Sequence, residues 1–488
     1  MNDDKVEHVE NNTCAIALKT DSPSLNRAFR IALGDIQGNI VPFMSGLLNR
    51  EQPCLLAGLD YRRPWTRDSA VNADNGLALI YPQVVRATLM SALSLNEEGP
   101  VIGGQYWDAV IWAVGAWTYF RSSGDDGFLR LARQALCRTL QQRESTEFSG
   151  RYHLFRGPAC YGDGVSAYPD LYARTNGKSG ILEWPACNPD LCASKGYGIP
   201  MYALSTNCLY VAAYRILADM FAASGMDGEC WRAKANRLTG AINGQFWDEK
   251  RGTYRYLVDE FGGCDHEEAL GTSFAMLFGI AGTDRARRLL QNQTLTSAGI
   301  PCVSPAFKRY RLDADSYGRH SGTVWPHIQG FWADAAVRHD RFDLFDRELS
   351  TLVHAACRDN QFTEIYHPVS GLPYGGLQEN GSSNPVLWRS CARQSWSATA
   401  LLRMVLFGML RLDLTSERLI VRPRLPDGMK TLTLQGLRYR GAVVTIRAMR
   451  VDTAARSGSA PVHEDWQKGK GQVPASARGR CFLNVFVP

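Results

Sequence analysis

The sequence predicts an all-α fold, an (α/α)6 toroid of six helical hairpins, followed by a small C-terminal β segment. Apolar residues recur with a helical period in twelve segments, at 23–41, 68–80, 83–95, 106–123, 125–143, 201–224, 227–246, 266–279, 284–293, 321–338, 341–358 and 395–410. Short turns such as YP, SGD, SGMD and AGT lead out of the even-numbered segments, whereas long loops lead into them. Hairpins linked in this way form two rings, in which the inner, even-numbered helices all begin at the face that carries the long loops.

Only the C-terminal part of the chain changes its period. The stretches ERLIVRPRLP and TLTLQGLRYRGAVVTIRAMR alternate apolar and polar residues, as strands with one buried face do. The sequence has no internal repeat of fixed length, which argues against a helical array of the TPR or HEAT type. We therefore predict an N-terminal tail at 1–22, a helical barrel at 23–412, and a small β-rich segment with its own tail at 413–488.

Composition argues against several classes of protein. The net charge of +6 is scattered along 488 residues, so no basic patch predicts nucleic-acid binding. The apolar runs are shorter than the ~20 residues of a membrane span. The polar start MNDDKVEHVE has no apolar signal core, so we expect a cytoplasmic protein. The thirteen cysteines follow no metal-binding spacing, and no GxGxxG or P-loop motif occurs, so we expect neither a metal nor a cofactor.

The long loops concentrate aromatic, acidic, basic and histidine side chains. Aromatic rings stack on the apolar faces of sugar rings, while carboxylate and guanidinium groups hydrogen-bond to sugar hydroxyls. We therefore expect a carbohydrate ligand, bound by Trp65, Arg67, Asp68, Gln105, Tyr106, Trp107, Asp108, Tyr161, Trp184, Arg319, His320, Trp325, His327, Tyr366, His367, Trp388 and Trp396.

Two of these binding residues also have a structural explanation. Asp68 and Asp108 each fall in the first turn of a predicted inner helix, where an acidic side chain caps free N–H groups and suits the helix dipole. Because aromatic and basic residues surround both, we assign them to sugar binding and not to proton transfer.

Cleavage of a glycosidic bond needs two carboxyl groups. One protonates the leaving oxygen, and the other activates water or attacks the sugar carbon. Glu364, in the loop QFTEIYHPVSGLPYGG before the last inner helix, is the candidate for the second role. A structural alternative for Glu364 is an ion pair with Arg389 or Arg393.

The proton donor should lie across the ring, in the segment before the sixth helix. Asp163 is the first candidate, because Gly162 and Gly164 on either side leave room for a substrate. Glu183 is the alternative general acid, and Asp190 is a third choice.

Several stretches resemble the six-hairpin (α/α)6-barrel glycoside hydrolases, a glycogen-debranching-like group. The closest likeness is to the branch of mannosylglycerate hydrolase and processing α-glucosidase I. The stretches are WTRDSA, YWDAVIW, HSGTVWPHIQGFW, EIYHPVSG and RQSWSATALLRM, and the likeness covers about residues 25–410.

In that branch, a Glu before a turn with the pattern Pro-x-Thr/Ser-Gly, followed by a helix start with Trp-Ser-Ala, marks the general base. Glu364, the turn Pro368 to Gly371 and the helix start at Trp396 fit this pattern. The resemblance implies that Glu364 is the general base of an inverting glycosidase acting on an oligosaccharide or small glycoside, with an α-linkage as the first expectation. The family's acid-bearing Glu-Ser-Gly-x-Asp-Asn segment is absent, and YGDG and LEWPACNPD occupy that region.

Two other functions stay open from the sequence. A sugar epimerase on the same toroid would need a pair of histidines as acid and base, and His320 and His327 could serve. A catalytically inactive carbohydrate-binding protein is the second alternative.

Overall fold

The computed structural model describes residues 16–193, 196–381, 384–451 and 466–487. Its helices are α1 (Pro23–Gly38), α2 (Thr66–Asp74), α3 (Pro82–Ser91), α4 (Asp108–Ser123), α5 (Asp126–Glu147), α6 (Trp184–Cys187), α7 (Leu204–Ala223), α8 (Glu229–Gln245), α9 (Ala269–Leu277), α10 (Thr283–Asn292), α11 (Pro326–Arg338), α12 (Phe342–Asp359) and α13 (Ser395–Arg403). Each of the twelve predicted helical segments overlaps one of these helices, and the one-turn α6 lies in the long segment before α7.

The strands are mostly short. They are β1 (Ala17–Thr20), β2 (Ile40–Phe43), β3 (Gln52–Leu55), β4 (Leu93–Asn96), β5 (Gly99–Ile102), β6 (Phe148–Ser149), β7 (Leu154–Phe155), β8 (Met201–Ala203), β9 (Trp247–Asp248), β10 (Thr253–Tyr254), β11 (Leu257–Asp259), β12 (Glu267–Glu268), β13 (Val303–Ser304), β14 (Leu377–Gln378), β15 (Val386–Leu387), β16 (Asp413–Leu414), β17 (Arg418–Val421), β18 (Thr431–Tyr439), β19 (Gly441–Arg450), β20 (Trp466–Lys468), β21 (Gly471–Pro474) and β22 (Arg478–Val487). The chain is mainly helical, as predicted, but strands are not confined to its C-terminal part.

A five-stranded sheet has the order β1-β18-β19-β22-β20. Its strands β18 and β19 correspond to the predicted stretch TLTLQGLRYRGAVVTIRAMR. β18 and β19 form an antiparallel hairpin, and β19 pairs in parallel with β22. The edge strand β1 pairs antiparallel with β18, so part of the predicted N-terminal tail belongs to this sheet. The sheet lies at the C-terminal end of α4, where the backbone N–H of Arg440 donates to the carbonyl of Ser122 at 2.6 Å.

Six helices contact one another in a closed cycle, in the order α2, α4, α7, α9, α11, α13 and back to α2. Most of the others lie outside this cycle and pack against its members: α3 on α2 and α4, α5 on α4 and α7, α8 on α7, α12 on α11, and α1 on α13. The cycle therefore consists of the helices that follow the long loops.

Close approach of neighbouring helices in the cycle depends on small residues. A Cβ added at Gly115 of α4 would lie 2.6 Å from the Cα of Ala70 of α2, so only glycine fits at this crossing. The two helices pack backbone against backbone, which brings the loops before them together.

A buried ion-pair network joins three of the six helices. Arg403, the last residue of α13, donates to Asp74 at the end of α2 and to Asp334 of α11, both at 2.7 Å. Burial would raise the pKa of Asp334, but the guanidinium groups of Arg338 and Arg403 hold it below its usual range. Loss of Arg403 would leave two buried carboxylates under-compensated, which is costly in a low-dielectric interior.

A long loop leads into the N-terminal end of each cycle helix. A cavity opens among these ends. Among the described residues, none of the helices combines the length and the apolar character needed to cross a bilayer.

Candidate active site

A cavity of about 220 Å³ opens at the face where the cycle helices begin. Its walls come from the loops before α2, α4, α7, α11 and α13 and from the first turns of α2 and α13. The lining residues are Tyr61, Trp65, Arg67, Asp68, Gln105, Tyr161, Asp163, Gly164, Ser179, Gly180, Arg319, His320, Trp325, Glu364, Gln378, Trp388 and Trp396. Convergent acidic, basic and aromatic groups in one cavity mark it as the candidate active site.

A larger cavity, of about 610 Å³, lies between α1, α12 and the loop at 426–429. Two of its three carboxylates are engaged, because Asp346 pairs with Arg424 at 2.6 Å and Asp21 accepts the backbone N–H of Thr431 at 3.0 Å. Among the described residues, no Trp, Tyr or Phe lines it. Its chemistry does not suit a sugar ring.

Glu364 is buried, with 2% of its surface exposed, and both of its carboxylate oxygens are hydrogen-bonded. Its Oε2 accepts from Nη2 of Arg319 at 2.7 Å and from the backbone N–H of Cys391 at 3.3 Å. Its Oε1 accepts from the hydroxyl of Tyr61 at 2.9 Å. Three donors from three segments therefore fix the carboxylate at the cavity wall.

The structural alternative for Glu364 named the wrong arginines. Arg389 lies 3.9 Å from Asp60 and Arg393 lies 3.8 Å from Asp35, so neither pairs with Glu364. The ion pair is made with Arg319, which also lines the cavity, so the pair and the site coincide.

Arg319 reaches Glu364 because the loop after Glu364 packs closely on its backbone. Gly376 has φ +76°, and a Cβ added there would overlap the backbone of Arg319. A Cβ at Gly375 would likewise overlap the carbonyl of Trp388. The glycine pair in the motif therefore allows two chain segments to pack together, and its carbonyl at Gly375 accepts from Nη1 of Arg319 at 3.0 Å.

Asp163 lines the same cavity and is held by a second arginine. Its Oδ2 accepts from Nη2 of Arg67 at 2.9 Å, and its Oδ1 lies 3.5 Å from Nε2 of His320. The side chain is 36% exposed, in contrast to Glu364. Burial of the carboxyl acts to raise its pKa. The nearby Arg67 guanidinium, with a smaller contribution from His320, outweighs this and holds the pKa below its usual range.

Asp68 is the cavity carboxyl that best retains a proton. Burial raises the pKa of Asp68 to about 8 against the pull of Arg67, and the neighbouring carboxylates of Asp108, Glu364 and Asp163 add to the rise. Its Oδ1 is buried without a hydrogen-bond partner among the described residues. A protonated carboxyl at neutral pH can donate a hydrogen bond to a ligand.

Ten of the seventeen predicted binding residues line the cavity: Trp65, Arg67, Asp68, Gln105, Tyr161, Arg319, His320, Trp325, Trp388 and Trp396. The cavity lining does not include Tyr106, Trp107, Asp108, Trp184, His327, Tyr366 or His367. These seven residues support the site from behind or lie elsewhere in the core.

The three residues before and at the start of α4 are buried beneath the cavity. The hydroxyl of Tyr106 donates to the carbonyl of Arg156, and the ring of Trp107 packs 5.5 Å from the guanidinium carbon of Arg67. Asp108 accepts the backbone N–H of Gln105 at 2.9 Å, and burial raises its pKa to about 6 against the pull of Arg67. Its carboxylate accepts no N–H of α4 among the described residues, and it lies 3.6 Å from Nη1 of Arg67, so its contacts support the backbone before the helix and the arginine, not a cap.

Tyr366 and His367 hold the turn that follows Glu364. The hydroxyl of Tyr366 accepts the backbone N–H of Thr363 at 3.2 Å. The Nδ1 of His367 accepts the N–H of Ser370 at 3.2 Å, and its Nε2 lies 2.9 Å from the carbonyl of Asp315. Their placement is structural, because these bonds fix the turn and leave no ring nitrogen for a sugar.

The alternative acid Glu183 does not line the cavity, although Gly180, three residues before it, does. The Glu183 side chain is 48% exposed and pairs with Lys178 at 2.7 Å. Trp184 is fully buried and its indole N–H donates to the carbonyl of Leu171 at 2.9 Å, while Asp190 is exposed. Position thus argues against Glu183 and Asp190 as acids and against Trp184 as a sugar platform.

The two histidines of the epimerase hypothesis are buried and neutral. Burial lowers the pKa of His320 to about 3 although Asp163 opposes this, and it lowers the pKa of His327 well below its usual range. Neither ring nitrogen of His327 has a hydrogen-bond partner among the described residues, and the ring stacks on Trp396 at 4.2 Å. These surroundings disfavour the protonated form of both rings, which one member of an acid–base pair would need.

Sequence reasoning missed Tyr61, Ser179, Gly180 and Gln378 as lining residues, whereas Gly164 was expected to leave room for a substrate. Tyr61 lies four residues before Trp65, which was predicted to bind sugar, but Tyr61 itself was not predicted. Gln378 carried no signal, because it reaches the cavity only through the hairpin of β14 and β15, where it accepts from Ser166 at 2.9 Å.

Residues 174–397 match the family described as mannosylglycerate hydrolase MGH1-like glycoside hydrolase domain. This segment of the chain is similar to the MGH1-like domain. The match confirms the resemblance to six-hairpin glycosidases that the motifs predicted. The MGH1-like segment contains Glu364, Arg319 and Trp325, whereas Arg67 and Asp163 precede it.

A mannosylglycerate hydrolase from Rubrobacter radiotolerans is 28% identical over 209 residues. That match covers 41% of this chain and 43% of the relative, so the chain spans less than half of the length of the curated relative it matches. The descriptions of the matching family and of this relative both name mannosylglycerate hydrolase.

Solved structures share the fold at low sequence identity. The GH63 mannosylglycerate hydrolase from Thermus thermophilus in complex with glucose superposes with a TM-score of 0.55 at 15% identity, over 78% of this chain and 100% of that one. A sialidase superposes with a TM-score of 0.68 at 12% identity, over 94% of this chain and 40% of that one. These likenesses concern the fold alone.

Proposed function

We propose that this chain is a glycoside hydrolase that cleaves an α-glycosidic bond of a small glycoside or oligosaccharide with inversion of configuration. The observation that carries the proposal is that Glu364 and Asp163 line one cavity, each on its own arginine, among tryptophan side chains. The MGH1-like segment and the mannosylglycerate hydrolase relative support the same class of reaction.

The proposed scaffold is an (α/α)6 toroid at 23–412, with the β-rich part at 413–488 as a separate unit that also recruits β1. The closed cycle of α2, α4, α7, α9, α11 and α13 supports this arrangement as an inner ring. Helices α1, α3, α5, α8 and α12 pack against it from outside, as an outer ring would. In such a toroid the N-terminal ends of the inner helices surround a single central site, and the candidate active-site cavity lies among these ends.

In the proposed mechanism Glu364 is the general base. Its Oε2 is occupied by Arg319 and Cys391, whereas Oε1 has one protein donor, Tyr61. A carboxylate oxygen can accept two hydrogen bonds. The second position on Oε1 is thus available to a water, whose proton passes to Glu364 as the water attacks the anomeric carbon.

Asp163 is the proposed general acid. Its side chain is 36% exposed, in contrast to the buried side chains of Glu364 and Asp68, so a leaving-group oxygen can reach it from the cavity mouth. The Arg67 ion pair favours its ionised form, so the proposal requires that bound substrate weakens this pair and raises the proton affinity of Asp163. A neutral Asp68 nearby adds no further negative charge to the site and donates to a sugar hydroxyl.

The tryptophans are proposed to hold the sugar ring. Trp65, Trp325, Trp388 and Trp396 all line the cavity, and Trp388 keeps 36% of its surface exposed. Stacking on an exposed indole buries apolar surface of both partners, which favours binding.

A panel of 4-nitrophenyl α- and β-glycosides and unmodified glycosides tests the proposal. We expect release of the aglycone from at least one α-glycoside, with the opposite anomer of the free sugar appearing first in proton NMR spectra. Glu364→Gln should abolish this release, whereas Glu183→Gln makes the same chemical change outside the cavity and should not.

Other outcomes of that panel contradict the proposal in distinct ways. Isomerisation of a free sugar without release of any aglycone would instead support the epimerase. Binding of sugars without turnover of any glycoside would support an inactive carbohydrate-binding protein. Release with retention of configuration would make a carboxylate the nucleophile and overturn the inverting mechanism.

A further inference from the structure

A second cavity, of about 590 Å³, lies outside the candidate active site, between the C-terminal end of α5, the hairpin of β6 and β7, and helices α7 and α8. Its floor is aromatic. Phe155 of β7 is fully buried and stacks on Tyr210 with ring centroids 3.6 Å apart. Phe148 of β6 packs edge-on against Phe155 at 5.2 Å but keeps 37% of its surface exposed. An apolar molecule placed here would cover this ring.

The charged groups of this cavity are unequal in number. Glu144 is neutralised, because Nζ of Lys234 donates to both of its oxygens, at 2.7 and 2.8 Å, and the hydroxyl of Tyr214 donates to Oε1 at 2.5 Å. Lys234 is thereby fully occupied and also packs 4.4 Å from the ring of Trp231.

Arg237 is the cation that remains. It lies one turn after Lys234 on α8, lines the cavity, and has no ion pair or hydrogen bond within the described part of the chain. The exposed His153, at the turn of the β6–β7 hairpin, is the other polar group at the cavity. An uncompensated guanidinium above an aromatic floor is the arrangement that binds a planar anion in a fixed orientation.

We propose that this cavity is a second ligand site, which binds a small organic anion with a flat apolar body, such as an arylcarboxylate or arylsulfonate. The ring of the ligand packs on the exposed face of Phe148, which Phe155 supports from beneath, and its anionic group pairs with Arg237. The volume of about 590 Å³ is in the range of cavities that hold such ligands. The inference does not depend on the glycosidase proposal, because the two cavities share no lining residue.

Two probes that differ mainly in charge test the proposal. The fluorescent anion 8-anilinonaphthalene-1-sulfonate should bind the folded protein saturably, with a stoichiometry of one. The neutral N-phenyl-1-naphthylamine has the same rings without the sulfonate. We expect Arg237→Gln to weaken binding of the anion by about tenfold, as loss of one charge-assisted contact would, and to change binding of the neutral probe less than twofold.

Two further variants locate the bound probe. Ala241→Trp fills the cavity and should abolish saturable binding of both probes, with circular dichroism and the melting temperature reporting that the fold is kept. Arg232→Gln is the matched control, since it removes the same charge from the same helix, where Arg232 pairs with Asp219 at 3.1 Å outside the cavity. If Ala241→Trp does not fold, Arg237→Glu replaces it and should abolish binding of the anion alone.

The proposal is overturned if the anion does not bind saturably, or if Arg237→Gln and Arg232→Gln weaken it equally. Equal weakening of the neutral probe by Arg237→Gln would also overturn it, because that result shows loss of the cavity's shape and not of a charge contact.

Discussion

The two carboxylates of the proposed reaction sit in opposite kinds of surroundings. Glu364 is almost completely buried and receives three hydrogen bonds, from Arg319, Tyr61 and the backbone of Cys391. Asp163 has more than a third of its side chain exposed and one close partner, Arg67. The base is thus held in place before a substrate arrives, whereas the acid stands at the open side of the cavity.

This difference follows from what each group has to contact. A base that orients one water molecule benefits from a fixed carboxylate, because every degree of freedom removed in advance is not lost during the reaction. An acid must meet the oxygen of a leaving group that enters and departs, so it needs access to solvent. Glu364 lies within the segment that matches the MGH1-like family, and Asp163 lies before it.

Glu364→Gln gives the largest expected effect and tests the fixed side of this comparison. The amide keeps the size and can still accept from Arg319, but it cannot take a proton from water. We expect kcat to fall by about 10³–10⁴-fold on every glycoside, whatever its leaving group. Steady-state kinetics on a nitrophenyl and an unmodified glycoside measure this, and a loss confined to one substrate would contradict the assignment of Glu364 as base.

Asp163→Asn tests the open side and should depend on the leaving group. An unmodified sugar leaves as a basic alkoxide that needs a proton, so we expect a loss of about 10²–10³-fold. A dinitrophenolate leaves without a proton, so its release should fall less than about tenfold. An equal loss on both substrates would make Asp163 a binding residue, and Asp68→Asn would then be compared on the same pair.

Asp68→Asn should change how stability depends on pH. Burial raises the pKa of Asp68 to about 8, from 3.8 as the ordinary value, so the folded wild type binds one more proton than the unfolded chain between these pH values. Wild-type stability therefore falls as the pH rises through this window, and the asparagine variant lacks that loss. We expect the variant to gain about 3–4 kcal/mol relative to the wild type between pH 5 and pH 8.

Urea unfolding of both proteins at several pH values measures this difference. Other buried acids, such as Glu268, titrate equally in the two proteins and cancel from the comparison. A constant difference across the pH range would show that Asp68 is ionised in the folded protein throughout.

Tyr61→Phe should reduce the rigidity of the base without removing it. The hydroxyl of Tyr61 is the only protein donor to Oε1 of Glu364 within the described residues. Because a hydrogen bond to a charged acceptor is lost, we expect kcat to fall by about tenfold. Unchanged kcat with a raised KM would instead assign Tyr61 to substrate binding.

The position of Tyr61 illustrates where the sequence was informative. The helices, the alternation of loops and the motif around Glu364 could be predicted because periodicity and turn residues are local signals. The arginine that pairs with Glu364 could not be predicted. It is Arg319, and not Arg389 or Arg393, because Gly376 packs against the backbone of Arg319.

Burial is the main reason why several predicted binding residues do not line the cavity. Trp184, Tyr106 and His327 have the residue types of a sugar site and lie in its loops, but each points into the core. A sequence shows which residue types a loop contains, and it does not show which of them face the cavity. Gln378 is the converse case, because only the tertiary fold brings its hairpin to the site.

The surroundings of Glu183 complete the comparison of the two candidate acids. Glu183 was the alternative to Asp163 because both are carboxyls in the long segment before α7. In the structure its side chain is 48% exposed and pairs with Lys178, itself 53% exposed, at 2.7 Å. An exposed ion pair of this kind contributes little to stability, on the order of 0–1 kcal/mol.

Glu183→Gln should therefore have the smallest effect. We expect kcat and KM to change by less than about twofold on both nitrophenyl and unmodified glycosides, because the charge lies outside the cavity and is screened by water. Steady-state kinetics on the same two substrates as for Asp163→Asn measure this. A leaving-group-dependent loss in Glu183→Gln, together with an even loss in Asp163→Asn, would reverse the two assignments and require the segment around α6 to fold over the cavity when substrate binds.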